Sequence, residues 1–315
     1  MAQTAFLFPG QGSQFAGMGR DFTEAFAWAK EIFTQADEIT GKPITRLCFE
    51  GPLEELTLTV NLQPAITAVN LVCCRALTEK GLKPDCAAGH SLGEYSALAA
   101  AGVISAAEAL KLTDIRGRLM HRDAAARPGA MQAIVGLTLD EVEAITELAR
   151  DRGVVTIANH NTPNQIVITG ESEAVATAAA LVKTKGGQAI PLAVSGAWHS
   201  PLMADAARGF AGELSAVGFK TPRFPVFLNV TGQAETDPEK IKEVMIRQII
   251  SPVKWSLIVE NMLAAGVANF VEVGPKKVLA GLVKKTVPRG TTINLVNVEN
   301  MAGVDSAVEK LGNLR

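Results

Sequence analysis

A serine flanked by two glycines is the main chemical signal in this sequence. Ser91 lies at the centre of Gly89-His-Ser-Leu-Gly93, after small apolar residues and before strong helix formers. This context predicts a strand, a sharp turn and a helix, in which the glycines let the backbone crowd the turn while the serine hydroxyl projects from it. Ser91 is therefore a candidate nucleophile.

The same residues also fit a helix capping box. Ser91 would be the N-cap residue and Glu94 would lie three residues further on. The chain repeats this spacing at residues 105–108 and 138–141. A cap needs no catalysis, so the spacing leaves both interpretations open, although the strand–turn–helix context favours the nucleophile.

A nucleophilic serine needs a base, and histidine is the usual one. The chain contains only four histidines, which are His90, His121, His160 and His199. His199 follows the serine in sequence, as in hydrolases that use this elbow, and lies in a loop at a predicted domain boundary, where pockets tend to form. We predict His199 as the general base; a surface or hydrogen-bonded core histidine is the alternative. His90 adjoins Ser91 and should point away from it.

Arg116 is the candidate for binding an anion. It lies four residues after Leu112 and three before Leu119, beside the apolar stripe of a helix predicted to begin after Ser105. A guanidinium turned inward needs an anionic partner, because burying it unpaired is costly. That partner is either an Asp or Glu of the chain, in a structural salt bridge, or the carboxylate of a ligand held in a bidentate grip.

A glycine-rich loop over residues 10–14 follows a buried strand predicted over residues 4–8. Its spacing matches neither the dinucleotide-binding nor the P-loop motif, which argues against a nucleotide. The loop is either a plain turn or a source of backbone N–H groups for an oxyanion.

The elements that must position these residues alternate between strands and helices, which predicts an α/β fold with a mostly parallel sheet covered on both faces. Residues 126–195 differ, because their pattern is βαββαβ, the split ferredoxin-like unit. We predict a small domain over residues 126–195, inserted into a catalytic core formed by residues 1–125 and 196–315.

Composition excludes several other classes. The 315 residues include 48% hydrophobic residues and carry a net charge of −2, so the chain has neither the charge of a nucleic-acid-binding protein nor a predicted membrane span. Its four cysteines have no zinc spacing, and no metal site is predicted. Free cysteines and the absence of a signal peptide lead us to expect a cytoplasmic protein.

Taken together, the motifs resemble those of the malonyl-CoA:acyl carrier protein transacylases. The resemblance runs in order from residue 5 to about residue 285 and is highly specific. Its motifs are Phe8-Pro-Gly-Gln11, Gly89-His-Ser-Leu-Gly-Glu94, Arg116-Gly117, Asn159-His-Asn161, Gln165-Ile-Val-Ile168, His199-Ser-Pro-Leu-Met203, Arg247-Gln248 and Glu272-Val-Gly-Pro275. The resemblance implies an α/β-hydrolase-like core with a ferredoxin-like insert, in agreement with the predicted order of elements.

The resemblance also implies a catalytic pair of Ser91 and His199, with the second ring nitrogen of His199 held by the main-chain carbonyl of Gln248. The backbone N–H groups of Gln11 and Leu92 would form the oxyanion hole. No acidic third member is needed, and no cofactor is implied.

For substrate binding, the resemblance implies that Arg116 grips the free carboxylate of malonyl-CoA and that Asn159 and Trp198 line the pocket. Trp198 replaces a phenylalanine common in relatives, and its bulk should disfavour a methyl branch on the acyl group. Two further departures, His121 for glutamine and Lys276 for glycine, are expected near the cleft.

The expected partners are malonyl-CoA and an acyl carrier protein supplied in trans, with the enzyme a monomer. Carrier proteins are usually acidic, so the lysines at positions 276, 277, 284 and 285 are a hypothetical docking patch, with ordinary surface charge as the alternative. Two other functions remain open at this point: a serine thioesterase or esterase that uses the same Ser–His pair, and a catalytically idle module that binds carrier proteins.

Overall fold

The computed structural model describes residues 2–194 and 196–312. Its strands are β1 (Gln3–Phe8), β2 (Cys86–Gly89), β3 (Ala130–Val135), β4 (Val155–Thr162), β5 (Gln165–Gly170), β6 (Gln188–Pro191), β7 (Val226–Phe227), β8 (Ala234–Glu235), β9 (Val267–Val273) and β10 (Asn294–Val298). Its helices are α1 (Arg20–Ala25), α2 (Ala27–Thr40), α3 (Ile44–Glu50), α4 (Leu53–Thr57), α5 (Thr59–Glu79), α6 (Gly93–Ala101), α7 (Ala106–Ala126), α8 (Leu139–Ala149), α9 (Ser172–Thr184), α10 (Ala204–Ser215), α11 (Pro238–Arg247), α12 (Trp255–Ala264), α13 (Val278–Thr286) and α14 (Met301–Leu311).

The larger sheet has the strand order β10-β9-β1-β2-β7-β8, and only β8 runs antiparallel to its neighbour. Its central strands are apolar without alternation: residues 4–8 and the whole of β2 are buried. Such runs are typical of parallel strands covered on both faces. The predicted α/β class with a parallel, hydrolase-like core is confirmed.

The smaller sheet is antiparallel, with the order β4-β5-β3-β6. Helices α8 and α9 pack on it and share a separate apolar core with it, built around residues such as Ile134, Val142, Ile168 and Val175. The predicted βαββαβ order is confirmed. The domain limits at residues 126 and 195 stay a prediction, and residue 195 lies outside the described residues.

Strand β4 connects the small sheet to the rest of the chain. The backbone N–H of His160 donates to the carbonyl of Val253, and the N–H of Val253 donates to the carbonyl of Ala158. These two bonds hold the small sheet against the segment before α12. Asn159 on β4 lines a cavity together with Gln11, which follows β1, and His90, which follows β2.

Two elements differ from simple expectation. The apolar residues between positions 21 and 37 are compatible with one helix, but the extended backbone of Phe26 separates α1 from α2. Helix α5 is the one helix among the described residues that is long and apolar enough to cross a membrane, but 83% of its apolar window is buried inside the protein. Its apolar surface is therefore used by the core.

Candidate active site

The turn between β2 and α6 carries Ser91. Its backbone has a φ of 51°, in the left-handed region that residues other than glycine rarely adopt. The flanking glycines permit this turn, since a Cβ at Gly89 would collide with the backbone of Gly93, and a Cβ at Gly93 would collide with the carbonyl of Phe8. The predicted strand–turn–helix elbow is present, with the serine at its tip.

The capping interpretation of Ser91 is wrong. Helix α6 has Leu92 at its N-cap and no side-chain cap hydrogen bond. By contrast, Ser105 and Thr138 form complete capping boxes with glutamates three residues further on. The hydroxyl of Ser91 is therefore free for other partners.

His199 is one of those partners. Its Nε2 lies 2.7 Å from Ser91 Oγ, and its Nδ1 lies 3.1 Å from the carbonyl oxygen of Gln248 and 3.0 Å from that of Ser251. Because carbonyls only accept, Nδ1 must carry the proton and Nε2 is left to accept from the serine hydroxyl. Burial, followed by the charge of Arg116, lowers the pKa of His199 to about 3, which keeps the ring neutral.

Arg116 approaches Ser91 from α7. Its guanidinium is 1% exposed, and its Nη2 donates to Ser91 Oγ over 3.1 Å. Two side-chain amides hold it: Nη1 donates to Gln63 Oε1 over 2.9 Å, and Nη2 donates to Gln248 Oε1 over 3.0 Å. Within the part of the chain that the structure describes, no Asp or Glu forms an ion pair with it, so the salt-bridge alternative is wrong.

Gln11 and Leu92 lie beside Ser91, in the wall of the same cavity. The glycine-rich loop is pressed against the elbow, because a Cβ at Gly10 would meet the carbonyl oxygen of His90 at 2.5 Å. In residues 2–194 and 196–312, neither the Gln11 nor the Leu92 backbone N–H donates to a protein acceptor. Both N–H groups are therefore available to an oxyanion.

The cavity at Ser91 has a volume of about 120 Å³. Its wall includes three further residues that the sequence nominated, namely Asn159, Trp198 and His90. A longer groove of about 390 Å³ begins at the same place and passes between the small sheet and α13, past Asn161 and Lys285. An extended ligand can therefore lie in the groove with its reactive end at the serine.

The two departures His121 and Lys276 lie outside the wall of the Ser91 cavity. The side chain of His121 is exposed. Lys276 follows the carboxyl end of β9, and its Nζ donates to the carbonyl of Gly12 over 3.4 Å. Of the exposed lysines on α13 and before it, Lys285 borders the site groove and Lys277 borders a separate groove against α14.

Three polar residues of the site were missed by sequence reasoning: Gln63, Glu94 and Asn229. Glu94 is fully buried, and its two carboxylate oxygens accept from the backbone N–H of Asn229 and the side-chain amide of Gln248, each over 2.8 Å. A charged residue on the otherwise apolar helix α6 was the available signal for Glu94. The spacing around Gln63 and Asn229 gave no signal that they belong to the site.

Comparison with known proteins agrees with this geometry. Residues 5–307 match the family model described as acyl transferase domain. The malonyl CoA-acyl carrier protein transacylase of Bacillus subtilis is 43% identical over 303 residues, which cover 96% of each chain. The crystal structure of an acyl carrier protein S-malonyltransferase from Vibrio cholerae is 43% identical, covers 97% of this chain and 100% of its own, and superimposes with a TM-score of 0.92.

A second solved structure is that of a type II polyketide synthase acyl-carrier protein in complex with its malonyl-transacylase. The matched chain is 38% identical, covers 98% of this chain and 100% of its own, and has a TM-score of 0.93. The fold, the Ser–His–Arg cluster and the family model together define an acyltransferase. Within that class, the chain belongs to the malonyl CoA-acyl carrier protein transacylase family.

Proposed function

We propose that this enzyme transfers the malonyl group of malonyl-CoA to the phosphopantetheine thiol of an acyl carrier protein, through a malonyl ester of Ser91. One observation carries the proposal: Ser91 Oγ lies within hydrogen-bond distance of both His199 Nε2 and Arg116 Nη2. A nucleophile, its base and a carboxylate-binding cation thus meet at one atom.

In the first step, Ser91 Oγ attacks the malonyl thioester carbonyl, and its proton passes to His199 Nε2. The backbone N–H groups of Gln11 and Leu92 stabilise the oxyanion, a contribution of roughly 3 to 4 kcal/mol per donor in comparable sites. The C–S bond then breaks, and the coenzyme A thiolate takes the proton from His199. The products are malonyl-serine and free coenzyme A.

Arg116 selects the acyl group. We propose that it binds the free malonyl carboxylate with its guanidinium fork while Gln63 and Gln248 keep it in place. Acetyl-CoA has no carboxylate, so its acyl group would leave the buried charge without an anion. Trp198 and Asn159 complete the wall around the acyl group, where the indole leaves little room for a methyl branch.

In the second step, the phosphopantetheine thiol gives its proton to His199 and attacks the malonyl ester, and Ser91 Oγ recovers that proton as it leaves. We propose that the groove past Asn161 and Lys285 holds the pantetheine arm. The relative that forms a complex with its carrier protein supports this choice of partner. Reversing the charge of Lys285 should slow the second step at low carrier concentration, with Lys310→Glu as the matched control, since Lys310 is exposed and borders the separate groove.

This reaction would supply malonyl units for fatty acid synthesis, and we propose that the enzyme acts as a cytoplasmic monomer. The steps above need no metal or cofactor, because every proton and charge is handled by side chains and backbone N–H groups. Coenzyme A and phosphopantetheine enter only with the substrates.

A thioesterase would use the same Ser–His pair with water as acceptor. The decisive experiment isolates the malonyl-enzyme and divides it between buffer and holo carrier protein. We expect a stable adduct in buffer and rapid malonyl transfer to the carrier. Release of free malonate at the same rate in both samples would instead establish the hydrolase.

A further inference from the structure

The buried carboxylate of Glu94 has no part in the chemistry described above. It lies on the first turn of α6, three residues after Ser91, and is 0% exposed. Both of its oxygens accept hydrogen bonds, from the backbone N–H of Asn229 and from Gln248 Nε2. A buried carboxyl group is costly unless it is hydrogen-bonded, and both partners of Glu94 also bond other residues of the site.

Asn229 holds the elbow. Its Oδ1 accepts from the backbone N–H of Ser91 over 2.6 Å, and its Nδ2 donates to the carbonyl of Gly89 over 2.7 Å. It thus grips the backbone on both sides of the strained turn. The carboxylate of Glu94 in turn fixes Asn229 by its main chain.

Gln248 holds the other half of the site. Its Nε2 donates to the carbonyl of Ser91 and to Glu94 Oε2, its Oε1 accepts from Arg116, and its main-chain carbonyl accepts from His199. The orientation of this amide matters, because its oxygen must face the guanidinium. The acceptor at Glu94 enforces that orientation by requiring the NH₂ group on its own side.

We propose that Glu94 is a positioning residue, which fixes the nucleophile through Asn229 and the malonate-selecting Arg116 through Gln248. The proposal rests on the function proposed above. The carboxylate of Glu94 is needed because a glutamine amide at this position could accept at only one atom. In Glu94→Gln, the new NH₂ group would face either the backbone N–H of Asn229 or the NH₂ group of Gln248, so that two donors oppose each other. The second clash is avoided only if Gln248 flips and turns its NH₂ group toward Arg116.

The test measures the rates of malonyl- and acetyl-enzyme formation by Glu94→Gln, using intact mass after rapid quenching. We expect malonylation to fall by roughly 100-fold and the malonyl-to-acetyl rate ratio to fall by at least about 10-fold, because one buried hydrogen bond is replaced by a repulsive contact. Glu94→Asp, which keeps the carboxyl group but is too short to reach both partners, should also lower the ratio and serves if Glu94→Gln does not fold.

The matched control is Glu272→Gln. Glu272 is also a buried carboxylate, 1% exposed, that accepts two N–H bonds, from Leu279 and Ala280. The Glu272→Gln variant should lose stability as Glu94→Gln does but keep the wild-type malonyl-to-acetyl rate ratio. A wild-type ratio in folded Glu94→Gln, or an equal loss in the control, would overturn the proposal. Failure of the wild-type enzyme to form any malonyl-serine would instead overturn the proposed function.

Discussion

Replacing Arg116 with alanine should convert a malonyl-selective enzyme into an unselective one. The guanidinium has no carboxylate partner in the described part of the chain, and it lies 3.1 Å from the nucleophile. A hydrogen bond to a charged group contributes about 1.5 to 3 kcal/mol, so losing a two-pronged grip on the malonyl carboxylate costs roughly 3 to 6 kcal/mol. At one decade per about 1.4 kcal/mol, malonylation should slow by about 10² to 10⁴-fold.

Acetylation should change much less, because an acetyl group has no carboxylate for Arg116 to bind. At the reacting serine, acetyl transfer loses one contact, from Nη2 to Ser91 Oγ, and losing this bond from a charged donor costs about 1.5 kcal/mol, so the rate should fall by about 10-fold. The assay is the rate of acyl-enzyme formation from each thioester by rapid quench and intact mass. Arg118→Ala is the control, since Arg118 lies on the same helix with its side chain 57% exposed and bonds Asp114.

Equal losses with malonyl-CoA and acetyl-CoA would refute this reasoning, because they would show that Arg116 supports the nucleophile and not the carboxylate. Unchanged malonylation would refute it as well. Thermal unfolding of the variant should be measured alongside, since Gln63 and Gln248 lose a buried partner and such losses cost about 1 to 3 kcal/mol each.

Three further predictions follow from local geometry. Because burial lowers the pKa of His199 to about 3, NMR of labelled histidine should show its ring neutral from pH 8 down to about pH 5, whereas a midpoint near 6.5 would contradict the burial argument. Lys276 has a φ of 62°, so Lys276→Gly should relieve backbone strain and raise the unfolding free energy by about 1 kcal/mol. Lys277 has a φ of −127°, so Lys277→Gly should lower the unfolding free energy. Urea unfolding measures both variants, and equal effects would rule out backbone strain at Lys276. Burial raises the pKa of Glu272 to about 7 from 4.5, so the folded state keeps a proton that the unfolded chain releases, and stability should fall as the pH rises from about 4.5 to 7. Glu272→Gln should show a smaller fall than wild type in urea titrations across that range, and parallel curves would count against the assignment.

The parts of the site that could be predicted from sequence are those with local causes. The elbow at Ser91 follows from two glycines and their neighbours, since no other residue fits where their Cβ atoms would collide. The inward turn of Arg116 follows from the helical period. The small sheet follows from its alternating strands and helices.

The hydrogen-bond network behind the elbow could not be predicted, because its members meet only through the fold. Asn229 bonds Ser91 across 138 positions, and Gln248 bonds Glu94 across 154. The alternatives at Arg116 were left open for the same reason. Its polar partners, Gln63 and Gln248, lie on separate helical segments whose packing no short pattern encodes.

The left-handed backbone at the two reacting residues was also invisible to sequence patterns. Ser91 and His199 have φ values of 51° and 59°, and neither is glycine. Strain of this kind costs on the order of 1 kcal/mol or more per residue and persists only where the surroundings determine it. The side-chain amides of Asn229 and Gln248 hydrogen-bond the backbone of Ser91, and the main-chain carbonyls of Gln248 and Ser251 hold the ring of His199.

The central claim is that Ser91 carries the malonyl group between two thiols. Intact mass after brief mixing with malonyl-CoA tests it most directly, on wild type and on Ser91→Ala. We predict an increase of one malonyl group on the wild-type chain, none on Ser91→Ala, and loss of the adduct on adding holo carrier protein, with the malonyl group recovered on the carrier. An adduct on both chains, or none on either, would contradict the account.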